Sequence, residues 1–328
     1  MIRDVLVAGG GTGGLETALA LRAFAPDRLR VLVLAPGRHL VRRAIAGADV
    51  HAVRLALADA AQEHGFGLVR DAVERVDVPG RSVLTQGGEC HAYDALVLAV
   101  GARATAAVPG ALTFRGPADL ERLRDALGRS GGQRFGGPRV AVTAPPGGQA
   151  AGGPLSVWEL GLVVARLLPR GGRVVVAAPG AAPPDAVLAS ALAAAGVRTR
   201  AYAVPRRADG RGLWLQGEAA PEPADVVVAL PGVVGPALAG LPADDRGFVR
   251  VDAAGRVPGA PDVYAVGGMT GRRAGATAEG ADRVARRLAA WAGAPVASER
   301  RAGPAPSRLE TLFVPPRSAR ASQAASAA

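Results

Sequence analysis

Apolar residues in this chain gather in short continuous runs rather than in strict alternation. Val5 to Ala8, Arg30 to Leu34, the centre of YDALVLAVGAR (93–103), RVAVTA (139–144), RVVVAAP (173–179) and Asp225 to Leu230 each end in glycine, proline or alanine-rich turns. A short run with no polar face is what a parallel strand covered on both sides requires. Between these runs the spacing changes to three and four residues. Leu120, Leu123 and Leu127 follow it, as do Ala281, Val284, Ala285, Leu288 and Ala289, and helices are predicted over 11–22, 117–127, 155–168, 185–196 and 276–292. Strand alternating with helix predicts an α/β fold built on parallel sheets. The remaining pattern predicts a polar loop over 36–47, a helix from about Val50 to His64, and strands Leu68–Val78 and Arg81–Thr85 of a small separate sheet, turned by Pro79-Gly80. Gly128 is expected to stop the helix that begins at Pro117.

The first strand and first helix are joined by Gly9-x-Gly11-x-x-Gly14. Strand before and helix after are the setting in which these glycines hold a dinucleotide. Gly9 permits the tight turn, Gly11 lets backbone approach a pyrophosphate, and Gly14 lets helix and strand pack closely. Free N–H groups at the helix start, with the helix dipole behind them, suit a phosphate. An acidic residue that binds a ribose hydroxyl should follow about 20 positions on. Ala35 stands there instead.

Composition narrows the chemistry. At 328 residues the chain allows about two domains with sizeable cores. The net charge of +11 suggests nucleic acid until one sees that all 39 basic residues are arginine, dispersed over helical stretches such as RLRDALGR and RVARRL. A nucleic-acid partner calls for a clustered stripe, so none is expected. The absence of lysine excludes a P-loop. Cys90 alone forms neither an internal disulfide nor a CxxC pair, and is read as structural. His39, His51, His64 and His91 lack ligand-like spacing, so no metal is expected. GRSGG (128–132) matches the GxSxG nucleophile pattern by letter but follows a helix, where a nucleophile elbow needs a strand. No apolar run approaches the roughly 20 residues of a membrane span. The chain is expected in the cytoplasm, with peripheral contact to the inner membrane face left open.

The order of fingerprint, short β insert and YDALVLAVGA resembles the flavin-dependent pyridine-nucleotide-disulfide oxidoreductase superfamily. Within it the chain is most similar to the branch of type II NADH dehydrogenases and sulfide:quinone reductases, over about residues 3–292. VPGALTFRGPADLERLRDAL (108–127) resembles actinobacterial members of that branch. The resemblance implies two Rossmann-like domains of glutathione-reductase type, the second inserted into the first. An FAD domain would cover 1–115 and 243–292, an NAD(P)-binding-like domain 116–242, and a C-terminal extension 293–328, disordered after 317. LETLFVPP (309–316) is the part of that extension expected to pack.

The resemblance also implies cofactor contacts at Gly9, Gly10, Gly11, Thr12, Gly13, Gly14, Ala35, Pro36, Arg43, Val73, Val100, Gly101, Ala102, Gly267, Gly268, Ala276 and Thr277. Gly275, Ala276 and Thr277 would place helix-terminal N–H groups at the flavin pyrimidine ring, where reduced flavin gathers negative charge. Glu159 falls where the family has a glutamate near flavin and nicotinamide; a solvated glutamate is the other reading. Three departures weigh against tight binding. Ala35 replaces the ribose acid, Gly267-Gly268 replaces the family's Gly-Asp, and Val100 stands where Thr is usual. Two lost charge-assisted hydrogen bonds, each worth about 1.5 to 3 kcal/mol, weaken FAD by roughly a hundredfold to ten-thousandfold. PPGGQAAGG (145–153) lacks GxGxxG, which leaves NAD(P)H binding open, and one cysteine cannot form a sulfide-oxidising relay. Two functions follow: an FAD-dependent oxidoreductase passing hydride from NAD(P)H or another donor to a small acceptor such as a quinone, or a degenerate, non-catalytic relative acting as a binding or regulatory scaffold. Arg38, just after the second strand, also keeps an NADP ligand open.

Overall fold

The computed structural model describes residues 2–46, 49–131, 137–146, 156–168, 171–180, 186–271, 277–296 and 307–309. They form two compact units, one of 1–42, 53–101 and 235–328, the other of 43–52 and 102–234.

The first unit is built on a five-stranded parallel sheet, ordered 263–265, 95–98, 3–8, 29–34, 67–69. Strand β1 (Arg3–Ala8) leads into helix α1 (Thr12–Phe24), which returns to β2 (Leu29–Leu34). Side chains on a strand alternate between faces, and here both faces are buried. Val5, Val7, Val31, Val33, Ala95 and Val97 join Leu15, Ala18, Leu21, Val284 and Leu288 in a core under α1 and the Thr277–Trp291 helix. Leu6, Ala8, Leu34, Leu96 and Leu98 meet Val76, Val83 and Tyr93 of a three-stranded antiparallel insert (Val73–Asp77, Ser82–Thr85, Cys90–Ala92) on the other face. Each fully buried Val or Leu contributes about 1.5 to 3 kcal/mol relative to an exposed one, which explains the continuous apolar runs.

The second unit repeats this plan. Its parallel sheet runs 112–113, 226–229, 139–143, 173–177, 198–200. Val140, Val142, Val174, Val176 and Val228 pack under helices Leu120–Gly131, Val157–Leu167 and Ala186–Ala194. Ala141, Val175, Ala177 and Val227 meet Leu213 and Leu215 of a second antiparallel insert. The α/β class and Rossmann-type sheets expected from the sequence are therefore present. Besides the short excursion over 43–52, the chain changes units at 101/102 and 234/235, whereas the sequence places the breaks at 115/116 and 242/243. Arg103–Ala104 already pairs with Val233–Val234, and Leu112–Thr113 already lies in the second sheet.

Several local expectations are corrected. Residues expected as a polar loop over 36–47 and a helix from Val50 form strands His39–Ala46 and Asp49–Ala56, paired with each other, and the helix spans only Leu57–His64. Gly65, left-handed at φ 69°, ends it. The Leu68–Val78 run divides: Gly67–Val69 joins the parallel sheet beside β2, and Val73–Asp77 pairs with Ser82–Thr85. Gly128 does not stop its helix, which continues to Gly131 after a 3-10 turn at Pro117–Asp119. The expected disorder after 317 lies outside the described residues, as does LETLFVPP beyond Leu309.

Candidate dinucleotide site

Because the strands of the first sheet are parallel, their carboxyl ends meet at one edge. Gly9 N–H donates to Leu34 O at 2.8 Å, Ala99 N–H to Ala8 O at 2.7 Å, Val266 N–H to Leu98 O at 2.9 Å and Ala35 N–H to Val69 O at 3.0 Å. These bonds bring Gly9–Gly14, Ala35, Ala99–Gly101 and Val266–Gly268 to the edge where open α/β sheets bind ligands. Segments separated by more than 160 residues in sequence thus line one place.

The glycines at this edge fall into two kinds. Gly9 (φ 127°) would place a Cβ 2.2 Å from Ala99 O, and Gly14 would place one 1.7 Å from Gly9 O. Those positions are glycine because the backbone leaves no room. Gly11 is different: a Cβ there would meet nothing within 4 Å, and its φ of −80° suits any residue. Space in front of Gly11 and Thr12, both exposed, is the kind a pyrophosphate needs. Gly11 is also the N-cap of α1, with no side chain capping it and no acid in the first turn. The helix start is therefore open to an outside anion.

Gly13 marks the closest approach to the late part of the chain. A Cβ there would lie 3.3 Å from both Thr277 Cγ2 and Val266 Cγ2. Thr277, 8% exposed, opens its helix against the fingerprint turn, and Gly267 (φ 72°) lies beside it. Thr270 donates its hydroxyl to Gly267 O at 2.8 Å, tightening the 3-10 turn Gly267–Thr270 in which Gly268 stands. Gly101 (φ 78°) follows the 95–98 strand with open space at its α-carbon, and Val100 is half-buried.

Where an acid was expected, Ala35 is a buried methyl, 1% exposed; it and Leu57, also 1% exposed, both close on Gly10. Pro36 is exposed and Ala102 half-buried. Val73 begins the antiparallel insert, paired with Thr85. Arg43 lies in the His39–Ala46 strand, but its side chain, like Ala276 and Gly275, lies outside the described residues. So do residues 147–155 of the second glycine-rich loop. Among the described residues no group of three or more His, Cys, Asp or Glu is placed to hold a metal, and no helix is long and apolar enough to cross a membrane.

Glu159 belongs to the second unit. Its Oε2 accepts Ser156 N–H at 2.6 Å while Ser156 Oγ accepts Glu159 N–H at 3.2 Å, a reciprocal capping box at the start of the Val157–Leu167 helix. This geometry gives the carboxylate a local structural task. Glu159→Ala is expected to lower stability by about 1 kcal/mol and Glu159→Gln to leave it nearly unchanged, since either Gln or Glu closes such a box. Thermal melts of both variants check this. A large loss of turnover in Glu159→Gln with an unchanged melt would instead assign the carboxylate to chemistry.

Residues 3–285 match the pyridine nucleotide-disulphide oxidoreductase family. Comparison with curated protein sequences returns no match. Among solved structures the chain is similar to the sulfide:quinone oxidoreductase of Aquifex aeolicus, at 16% identity and TM-score 0.68, over 87% of this chain and 76% of that one. It is also similar to a ferredoxin reductase of Rhodopseudomonas palustris, at 23% identity and TM-score 0.60, over 88% and 76%. LpdA of Mycobacterium tuberculosis matches at 20% identity and TM-score 0.60, over 91% and 74%. At these identities the likeness is one of fold.

Proposed function

The chain belongs to the pyridine nucleotide-disulphide oxidoreductase family, whose members are FAD-dependent oxidoreductases, and from that premise we propose that its first unit holds FAD along the edge that joins Gly9–Gly14 to Gly267, Gly268 and Thr277 and serves electron transfer from a reduced nicotinamide to a small acceptor. The carrying observation is Gly11, open on its outer side at an uncapped helix start while Gly9 and Gly14 are walled in by backbone. FAD, when bound, supplies hydride acceptance and electron release.

The chain's own part is to bind and orient. The first-turn N–H groups of α1 take the pyrophosphate charge. The start of the Thr277 helix, close against Gly13 and Gly267, offers a second set of donors for charge on the ring system. Ala35 and Gly268 contribute no carboxylate to the sugar hydroxyls, so affinity rests on the two helix starts and on apolar contact. A quinone acceptor is favoured by the likeness to the sulfide:quinone oxidoreductase, and such an acceptor implies contact with a membrane surface. NAD(P)H as donor is a proposal for the second unit, whose parallel sheet provides a comparable strand edge.

The test is the visible spectrum of purified protein and its titration with FAD, followed by NAD(P)H. Micromolar binding with bleaching by NAD(P)H is expected. Gly268→Asp, which returns one charge-assisted hydrogen bond, is expected to tighten FAD by about tenfold to a hundredfold. A colourless parent that ignores saturating FAD, with Gly268→Asp no better, would overturn the proposal in favour of a non-catalytic scaffold.

A further inference from the structure

Glu16 is almost completely buried, 1% exposed, in the second turn of α1. Its partners come from the other end of the chain. The Ser307 hydroxyl donates to Oε1, the Arg308 N–H donates to Oε2 at 2.9 Å, and the Leu309 N–H donates to Oε1 at 3.2 Å. Leu309, 0% exposed, completes the core under α1 and the Thr277–Trp291 helix. The Arg308 guanidinium donates to Asp282 at 2.8 Å and lies 4.8 Å from the centre of the Phe24 ring. Arg286 approaches the same ring at 4.5 Å and donates to Asp282 at 2.7 Å. Burial raises the Asp282 carboxyl, but the hydrogen bonds from Arg286 and Arg308 outweigh it and hold the group below its ordinary value. Residues 307–309 are thus held by two acidic side chains, the buried Glu16 on one helix and the ion-paired Asp282 on the other.

A carboxylate removed from water persists only while hydrogen-bonded or paired. Glu16 belongs to the turn directly behind the candidate phosphate cradle. In that turn Thr17 donates its hydroxyl to Gly13 O at 2.7 Å, and Leu15 N–H donates to Gly11 O at 3.0 Å. If the three donors and Leu309 leave, Glu16 loses its partners and the core under α1 loses part of its cover, so the turn that carries Glu16, with Gly11 to Gly14 just before it, is held less firmly.

We propose that Ser307–Leu309 is a strap that, through Glu16, holds the opening turns of α1 in their phosphate-binding form. Glu16 is then a positioning residue for the dinucleotide, and strap docking and dinucleotide binding favour each other reciprocally. The ligand named here rests on the FAD reading; the strap itself does not.

The experiment is a mutant cycle in the full chain. Leu309→Asp releases the strap, and Glu16→Gln is made with and without it. Melting without ligand is expected to depend on the strap: Glu16→Gln lowers Tm when the strap is docked and changes it little when the strap is released. Release is expected to raise the Kd for FAD at least tenfold, and FAD added to the parent is expected to slow amide exchange at Arg308 and Leu309. If Leu309→Asp fails to fold, Ser307→Ala, which removes one donor, carries the same comparison at smaller amplitude. Equal effects of Glu16→Gln in both backgrounds overturn the strap. An FAD Kd unchanged by release overturns its link to the cradle. Unequal effects of Glu16→Gln in the two backgrounds, with no FAD binding by any of these proteins, the parent included, sustain the strap and overturn the FAD reading instead.

Discussion

Gly11→Asp is expected to abolish FAD binding, by at least a hundredfold in Kd, while leaving the fold as stable as the parent or slightly more so. The two effects separate because Gly11 has no structural reason to be glycine. Its φ of −80° and ψ of −174° are ordinary extended backbone, and a Cβ there meets nothing within 4 Å. Aspartate is a better N-cap than glycine by a few tenths of a kcal/mol, and its charge at a helix N-terminus adds about 0.3 to 1 kcal/mol. A rise in Tm of about 1 to 3 °C follows for units of this size. The same carboxylate stands where a phosphate would, bonded to the same N–H groups and repelling its charge. Calorimetric FAD titration beside a thermal melt decides it, and an affinity within threefold of the parent would remove the phosphate from this turn.

Gly14→Ala is expected to do the reverse first and the same thing second. The new Cβ would lie 1.7 Å from Gly9 O and 3.6 Å from Ala99 Cβ. Backbone cannot yield as a flexible side chain can, so α1 must lift from β1. A cost of about 3 to 4 kcal/mol is expected, or a Tm lower by about 10 °C, with flavin affinity lost as the turn opens. A melt within 2 °C of the parent would mean that helix and strand are not in the close approach described.

The two glycines also show why the sequence is legible here. Backbone geometry at Gly9 and Gly14 admits one residue type, so the letters carry the structure. The central strands are legible for a related reason: burial on both faces leaves no polar position to confuse the pattern. The strand pair 39–46 and 49–56 is not legible in this way. His39-Leu40-Val41-Arg42 and Val50-His51-Ala52-Val53 carry too little alternation to separate strand from helix, and alanine fits both. At Gly128 a glycine inside a helix costs about 1 kcal/mol, and the packing of Leu123 and Leu127, 0% and 3% exposed, outweighs it. The anchors absent at Ala35 and Gly268 could be read directly from the sequence. Glu16 could not, because its three donors lie more than 290 residues away and no local pattern announces them.

The position of the 263–265 strand bears on how the chain is made. It covers the Ala95–Leu98 strand, yet the ribosome delivers it about 160 residues later, a delay of roughly 10 to 30 s at ordinary elongation rates. Throughout that interval the nascent first unit presents ALVL with one row of amide and carbonyl groups unpaired, the arrangement that recruits foreign strands. The second unit, whose sheet is complete once residue 229 has emerged, can finish folding in the meantime. Slower translation between these two strands lengthens that exposure and is expected to lower the yield of folded protein.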